Sequence, residues 1–231
     1  MKKSTIIIII LLVVTFITGG IILSNKKVEE AEINLEERDA FSVGTDDHVK
    51  GTVEGVEPEL YIFEYADYQC PGCAATNPWI NEILESYNGK VAVVYRSFLL
   101  SYHQNAKAAA SAAEAAGLQG YWKAYADLLF ANQSEWDPLS GSGRKEKFIE
   151  YFETVSKGEG DSKKFAEDMA SEAVKAKINL DVALGKKVGV SATPAFYMDG
   201  KEIDWTGVES ASTKAGFIEY FKTQIDAKLG I

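Results

Sequence analysis

The chain has 231 residues, which is enough for one domain of ordinary size and a short targeting segment. Hydrophobic residues make up 46% of it and charged residues 25%, so a core can form without disulfide staples. The formal net charge is −10, and such an acidic surface repels phosphate backbones and anionic lipid headgroups. We therefore expect no nucleic-acid partner.

An uncharged run rich in Ile, Leu and Val extends from Ile6 to Leu23, just after Lys2 and Lys3. It approaches the ~20 residues that a helix needs to cross a bilayer, and it exceeds the roughly 7–15-residue apolar core of a cleaved signal peptide. We predict an uncleaved, single-pass membrane anchor over residues 1–25, with export after signal cleavage as the alternative. The two lysines favour a cytoplasmic N-terminus, which would place the rest of the chain outside, where disulfide chemistry occurs.

The next segments predict a linker followed by a strand–helix–strand unit. Residues 26–57 are acidic and poor in long apolar runs, which indicates a linker whose last third could pack on the domain. Residues 60–65 are apolar except at Glu64, a pattern typical of a central strand covered on both faces. A helix over 71–87 and a second strand over 91–98 then imply a parallel pair of strands.

A helical block follows over about 102–187, and a short hairpin and a last helix complete the chain. The alanine-rich stretch that Gly117 closes is a strong helix former. We predict further helices over 121–132, 145–156, 162–177 and 211–229, a loop over 137–143, and strands over 195–198 and 201–205. Asp199-Gly200 between those strands is a strong hairpin signal. The sequence therefore predicts an α/β fold, a mixed sheet with a helical insertion in its middle.

The two cysteines of the chain, Cys70 and Cys73, enclose a Pro-Gly pair at the junction of a predicted strand and helix. Pro71 at the first helical position has its φ preset. Cys70 would lie where the helix presents free N–H groups and the positive end of its dipole. Both effects favour a thiolate, and such motifs have pKa values of ~3.5–7 instead of ~8.5. The expected cycle is attack on a substrate by Cys70, then resolution by the more buried Cys73.

Two other uses of this cysteine pair fit the sequence less well. A purely structural disulfide closing so short a loop would stabilise the fold little, because the entropy that it removes grows with loop length. A zinc site needs about four ligands, and the two histidines, His48 and His103, do not lie at finger-like spacing. We therefore predict a catalytic dithiol, no metal, and no cofactor besides the redox-active disulfide Cys70–Cys73.

Four stretches resemble the DsbA-like branch of the thioredoxin superfamily, in its anchored or exported bacterial group with a helical insertion. They are Asp47-His48-Val49-Lys50-Gly51, residues 63–73 ending in Cys70-Pro71-Gly72-Cys73, His103 with Asn105-Ala106 and the alanine helix, and residues 189–196 with Thr193-Pro194. The resemblance covers about residue 47 to the C-terminus. It implies a thioredoxin-like fold over 58–231 with the helical insertion at about 102–187, and a thiol–disulfide oxidoreductase activity.

The resemblance also assigns the Thr193-Pro194 pair to the cis-proline loop that packs beside the dithiol. From the residues alone a trans bond would be expected, because cis is a minority state of X–Pro bonds. A cis loop would expose the Thr193 backbone to an extended substrate peptide. Pro71 and Gly72, between the cysteines, would line the same substrate site.

Glu64 matches the position of a buried acid in the superfamily. A carboxyl group in an apolar strand should have a raised pKa, which would suit it to exchange protons with Cys73 through water. The alternative is a partly exposed glutamate at a strand edge. Asp67 and His103 also match family positions, and we expect mainly structural roles for both.

We expect an extracytoplasmic dithiol oxidase that acts as a monomer on reduced or misoxidised exported proteins. The resemblance implies reoxidation by a quinone-linked membrane oxidoreductase. Gly72 stands where the best-known strong oxidant of the family has histidine, so we expect a weaker oxidant. The alternatives are a disulfide reductase or isomerase supplied with electrons across the membrane, and a chaperone-like peptide-binding module in which the dithiol is incidental.

Overall fold

The computed structural model describes residues 38–205 and 207–231. The predicted anchor, 1–25, and the first part of the predicted linker lie outside the described residues. Within the described ranges, no helix is both long and apolar enough to cross a membrane.

A mixed sheet of five strands lies at the centre of the described chain, in the order β1-β3-β2-β4-β5. The strands are β1 (His48–Lys50), β2 (Leu60–Ala66), β3 (Val91–Ser97), β4 (Ala195–Met198) and β5 (Lys201–Glu202). Strands β2 and β3 are parallel, with Glu64 opposite Tyr95, whereas β1 and β4 flank them in antiparallel orientation. The predicted parallel pair and mixed sheet are confirmed.

Helix α1 (Pro71–Ser86) connects the two parallel strands, and a block of helices connects β3 to β4. The block contains α2 (Ala106–Gly117), α3 (Trp122–Ala131), α4 (Gln133–Trp136), α5 (Gly141–Ser156), α6 (Ser162–Asp168) and α7 (Glu172–Lys187). Helix α8 (Lys214–Leu229) ends the chain. The predicted helical insertion is therefore present at the predicted place.

Three buried hydrophobic clusters hold these layers together. On one face of the sheet, residues such as Ile62 and Val93 pack against α1 and α8. On the other face, Phe63 and Val94 pack against Leu184 of α7. The third cluster fills the helical block and extends to the cysteine pair. The dithiol therefore lies where the central sheet meets the inserted helices.

Several predicted element bounds are wrong, and local capping explains most of the differences. The helix predicted over 162–177 is two helices, because the Ser171 hydroxyl accepts the N–H of Val174 and starts a new one. Helix α5 begins within the predicted loop 137–143, after the extended residue Ser140. Helix α8 begins at Lys214 instead of 211, since Thr213 caps it and a 3-10 turn precedes it. The last strand is shorter than predicted.

The last third of the predicted linker, 26–57, packs on the domain, as the sequence analysis allowed, and residues before that third are packed on it as well. Ala40 is buried, and β1 belongs to the sheet. Arg96 of β3 donates to both carboxylate oxygens of Asp47, at 2.8 and 3.2 Å, and to the carbonyl oxygens of Ala40 and Ser42. The acidic composition that indicated a solvated tether therefore includes a carboxylate neutralised inside the fold.

Candidate active site

The reactive cysteine is the N-cap residue of α1. Cys70 has extended φ and ψ angles of −75° and 121°, and Pro71 follows it at the helix start. The Cys70 side chain is 7% exposed, whereas Cys73, on the first turn, is fully buried. Both are free thiols. The structure therefore places one slightly exposed cysteine at the tip of the helix and a fully buried one behind it, as predicted.

The two thiols have opposite electrostatic environments. A hydrogen bond from Cys73 is the main cause that lowers the pKa of Cys70 to about 5, although burial opposes it. Hydrogen bonds from the backbone N–H groups of Cys73 and Gly72 add to this, as expected at a helix N-terminus. Burial, together with the hydrogen bond to Cys70, raises the pKa of Cys73 well above its usual value. At neutral pH the pair therefore consists of a thiolate and a thiol.

The loop before β4 closes over the dithiol. The Thr193–Pro194 peptide bond is cis, as the resemblance implied. Sγ of Cys70 lies 3.2 Å from the carbonyl oxygen of Thr193, which accepts a hydrogen bond from Cys70 when its thiol is protonated. A Cβ atom added at Gly72 would lie 3.3 Å from Cδ of Pro194 and 3.7 Å from Sγ of Cys70. A side chain at position 72 would therefore lie in close contact with the cis-proline loop and with Cys70.

Glu64 lies in the middle of β2 and is fully buried. It faces Tyr95 on one neighbouring strand and Phe196 on the other, so the alternative of a strand-edge glutamate is wrong. Neither carboxylate oxygen has a hydrogen-bond partner among the described residues. Burial raises the pKa of Glu64, and the positive charge of Lys50 opposes that rise. A carboxyl group in this setting readily changes protonation when a neighbouring charge changes.

Sequence reasoning missed a buried lysine beside this acid. Lys50 of β1 is 1% exposed, and its Nζ atom lies 2.5 Å from Oδ1 of Asn77. It also lies over the rings of Tyr95 and Trp122. The sequence contains no local sign of this, because a lysine in a short polar segment is typical of a solvated position. Only the pairing of β1 with β3 shows that it points inward.

Asp67 and His103 have structural contacts, as predicted. Asp67 accepts the N–H groups of Gln69 and Leu100, at 2.8 and 3.0 Å. Its Oδ2 atom also lies 2.9 Å from Nδ1 of His103. These contacts join the turn before the dithiol to the loop after β3.

The other histidine, His48, lies away from the dithiol. It lies 2.8 Å from a Glu114 carboxylate oxygen and stacks on Trp122. The described part of the chain holds no group of three or more His, Cys, Asp and Glu side chains that could bind a metal ion.

Comparisons with known proteins agree with this fold. A family model described as thioredoxin matches residues 57–217. A curated relative, the Na(+)/H(+) antiporter NhaA 3 of Salinispora tropica, is 34% identical over 157 residues, which are 67% of this chain and 22% of that protein. The chain thus spans about a fifth of the length of the curated relatives that it matches.

Three solved structures share the architecture. BdbD of Bacillus subtilis has a TM-score of 0.62 at 18% identity, with 80% of this chain and 94% of that chain covered. A thioredoxin-like oxidoreductase of Silicibacter pomeroyi has a TM-score of 0.59 at 24% identity, covering 77% and 96%. MdbA, a thiol-disulfide oxidoreductase of Corynebacterium diphtheriae, has a TM-score of 0.56 at 21% identity, covering 77% and 90%. At these identities the likeness shows the fold.

Fold and dithiol together define the class, a thioredoxin-like thiol–disulfide exchange enzyme with a helical insertion. The chain belongs to the thioredoxin family.

Proposed function

We propose that the chain is an extracytoplasmic dithiol oxidase, which passes its Cys70–Cys73 disulfide to reduced or misoxidised exported proteins. The observation that carries this proposal is the position of Cys70 as the N-cap residue of α1 in front of the buried Cys73, a setting that lowers the pKa of Cys70 to about 5. A stabilised thiolate stabilises the reduced dithiol relative to the disulfide, so the disulfide is readily given away. A thiol of low pKa is also a good leaving group.

The same value supports an oxidant of intermediate strength. Thioredoxin has a nucleophilic cysteine of pKa about 7, and DsbA one of about 3.5. The value for Cys70 lies between them. This agrees with the expectation from Gly72, which lacks the imidazole of the strong oxidant.

The reaction consists of two exchange steps. A substrate thiolate attacks Sγ of Cys70, the Cys70–Cys73 bond breaks, and Cys73 leaves as a thiolate that takes up a proton because its own pKa is high. Glu64 is our proposed donor of that proton. A second substrate thiolate then attacks the substrate sulfur of the mixed disulfide and expels the Cys70 thiolate. Two electrons pass from the substrate to the enzyme.

The substrate would approach along the surface formed by the helix tip and the cis-proline loop. Pro71 and Gly72 are exposed beside Cys70, and Thr193 and Pro194 are partly exposed on the other side. An extended peptide could hydrogen-bond to the Thr193 backbone, as in β-strand addition. These four residues would therefore hold the substrate while Cys70 reacts.

The location and the reoxidising partner are part of this proposal. The predicted anchor would hold the domain outside the cytoplasm, near a quinone-linked membrane oxidoreductase that returns the dithiol to the disulfide. The resemblance supports this partner, and no described residue is assigned to it. We do not transfer ion transport from the antiporter relatives, since the match covers 22% of their length.

The reduction potential of the domain, measured against glutathione, tests the direction of the reaction. An oxidase has a potential near −120 mV and a reductase one near −270 mV, so we expect a value above about −180 mV. A potential close to that of thioredoxin would favour the reductase. The variant Cys70→Ser should lose all activity on a reduced substrate protein. If it retained its effect on substrate folding, a chaperone-like module would be supported instead.

A further inference from the structure

The buried ammonium group of Lys50 lies on the same face of the sheet as Glu64. Lys50 pairs with Val93, two residues before Tyr95, and Tyr95 pairs with Glu64. Burial lowers the pKa of Lys50, and the charge of Glu64 opposes that shift. A buried ammonium group is costly unless other groups hold and neutralise it. The groups that fix the position of Lys50 therefore also affect the protonation of Glu64.

Asn77 of α1 accepts the hydrogen bond of Lys50, whose Nζ atom also lies 3.9 Å from Oδ1 of Asp127. Asn77 is 3% exposed, and its Oδ1 atom accepts from Lys50 Nζ at 2.5 Å. Its Nδ2 atom donates to Oδ1 of Asp127, on α3 of the helical insertion, at 2.9 Å. Because an ionised carboxylate can only accept, Asp127 turns the amide nitrogen toward itself and leaves the amide oxygen for Lys50. The orientation of Asn77 is thus set from the inserted helices.

Charged and titratable groups surround Glu64 from every element packed on this face of the sheet. Lys50 comes from β1, Tyr95 from β3, Cys73 from α1, Tyr68 from the turn before α1, and Asp127 from α3. Among these groups Lys50 is the positive one. Asp127 acts on Lys50 and on Glu64, and it is also bound by the exposed Lys123 at 3.2 Å. Asn77 itself carries no charge, so any effect of Asn77 on Glu64 must pass through Lys50 or through Asp127, to which both Asn77 and Asn81 donate.

We propose that Asn77 is a positioning residue for the exchange reaction, which holds the Lys50 ammonium group beside Glu64 and so sets the pH range in which Glu64 exchanges a proton with Cys73. This inference rests on the proposed function, because it assumes that Glu64 is the proton partner of Cys73. Asp127 orients Asn77 from the helical insertion. The helical insertion thereby affects the chemistry of the dithiol, although both cysteines lie outside the insertion.

The effect of Asn77 can be measured in the step that closes the Cys70–Cys73 disulfide. In the reduced enzyme, Cys70 attacks oxidised glutathione, which forms a Cys70–glutathione disulfide and expels one glutathione thiolate. Cys73 then loses its proton to the Glu64 carboxylate and attacks Sγ of Cys70, and the second glutathione thiolate leaves. The two electrons pass from the dithiol to glutathione. The rate of this second step should rise as pH increases through the titration of Glu64.

In the experiment, the reduced protein reacts with oxidised glutathione at a series of pH values. The reaction is stopped with acid, and mass spectrometry identifies the products, which gives the rate of each step at each pH. We expect Asn77→Ala to move the inflection in the pH–rate profile of the second step upward by about one pH unit, because the charged Lys50 side chain loses a hydrogen bond. The rate of the first step should keep its pH dependence. Asn77→Ser, whose hydroxyl is too short to reach Lys50, should give the same shift and serves if the alanine variant does not fold.

Asn81 provides a matched control on the same helix. It also donates to Oδ1 of Asp127, at 3.1 Å, and the structure gives it no contact with Lys50. Asn81→Ala should therefore leave the inflection unchanged. In a Lys50→Met background, Asn77→Ala should cause no further shift. An unchanged inflection in Asn77→Ala, an equal shift in Asn81→Ala, or a full shift in the Lys50→Met background would each overturn the inference.

Glu64→Gln in the same assay separates this inference from the relay that it assumes. Loss of the inflection in Glu64→Gln, with no shift in Asn77→Ala, would leave the Glu64 relay standing and reject Asn77 alone. An inflection that persists in Glu64→Gln would reject both. The direction of the overall reaction is tested separately by the reduction potential.

Discussion

Cys70 and Thr193 are separated by 123 positions in the chain, and Sγ of Cys70 nevertheless lies 3.2 Å from the Thr193 carbonyl oxygen, which accepts a hydrogen bond from the protonated thiol. The sheet order creates this contact. Strands β2 and β4 are antiparallel neighbours, so the loop that enters β4 arrives at the end of β2 from which α1 begins. The helical insertion makes the connection between β3 and β4 longer, but the start of β4 still lies beside the end of β2. The pairing of these two strands therefore brings Cys70 and Thr193 together.

The first prediction concerns the titration of Cys70. In the reduced protein, thiolate absorbance in the ultraviolet should appear with a midpoint near pH 5, because a hydrogen bond from Cys73 and backbone N–H groups stabilise the anion. In Cys73→Ala the midpoint should move toward the ordinary value, since the largest stabilising contact is lost. A midpoint above pH 8 in the wild-type protein would contradict the assignment and the proposed oxidase.

The lowered pKa of Cys70 also makes the stability of the reduced protein depend on pH. A thiol whose pKa is depressed in the folded state contributes stability that is present above the pKa of the unfolded chain and is lost as pH falls through about 5. Denaturant unfolding of the reduced protein should therefore show an unfolding free energy that rises from pH 5 to pH 8 relative to Cys70→Ser. A parallel pH dependence in the two proteins would mean that Cys70 is not ionised in the folded state.

The second prediction concerns trapped intermediates. Cys73→Ala has no second thiol to break a mixed disulfide at Cys70. Once oxidised glutathione has converted Cys70 to its glutathione disulfide, the thiolate of a substrate protein with a single free cysteine displaces glutathione and should stay covalently attached to the variant. Non-reducing gels and mass spectrometry of the adduct measure this. Cys70→Ala in the same mixture should trap nothing, because the remaining Cys73 is fully buried and its pKa is high. Equal trapping by both variants would reverse the roles of the two sulfurs.

Local sequence signals were sufficient to predict the dithiol and its helix. Cys70 and Cys73 lie at a strand–helix junction with proline at the helix start, and each of those signals involves neighbouring residues. The cis-proline loop and the buried acid came from resemblance, because no periodicity relates Thr193 or Glu64 to the cysteines. Helix ends were predicted less well, since single side chains such as Ser171 decide them.

Long-range ion pairs could not be predicted from the sequence. Lys50 and Asp47 lie in a segment whose composition indicated a linker, and burial of their charges depends on strand β1 joining β3. The Asp47 carboxylate is satisfied by Arg96, and the Lys50 ammonium group by the Asn77 amide and by Asp127. Each partner lies on another element, so the sequence around either residue does not reveal the pair.

The third prediction concerns the buried pair of Arg96 and Asp47, both fully buried. Although burial favours the protonated acid, hydrogen bonds from Arg96 and the charge of Lys177 lower the pKa of Asp47 to about 2. Arg96→Met leaves that carboxylate without its main partner, so the free energy of unfolding should fall by about 3–5 kcal/mol. Urea unfolding measures the loss, and limited proteolysis should show earlier cleavage between residues 38 and 47.

The pH dependence of this pair has a definite sign. A depressed carboxyl pKa contributes stability above its ordinary value of 3.8, and that stability is lost as pH falls toward about 2. Arg96→Met should therefore unfold at a higher pH than the wild-type protein during acid titration. Arg38→Met is the matched control, because Arg38 also contacts Asp47, at 3.3 Å, but is partly exposed, and it should cost less than about 1 kcal/mol. Equal losses in the two variants would argue against a dominant role for the buried pair.

The fourth prediction concerns Glu64→Gln, which keeps the shape of the side chain and removes its proton exchange. The step in which Cys73 closes the disulfide should slow by about 100-fold or more, because general base catalysis contributes at least that much. The attack by Cys70 should keep its rate, since its thiolate is stabilised by other groups. Separate measurement of the two steps with oxidised glutathione distinguishes these effects.

The same substitution should also change stability in the opposite sense. Burial raises the pKa of Glu64, so the ionised carboxylate weakens the fold as pH rises above 4.5, the ordinary value. Above pH 7, Glu64→Gln should therefore be at least as stable as the wild-type protein in urea, although it reacts more slowly. A variant that is both slow and strongly destabilised would instead identify Glu64 as the structural partner of Lys50, with no part in proton exchange.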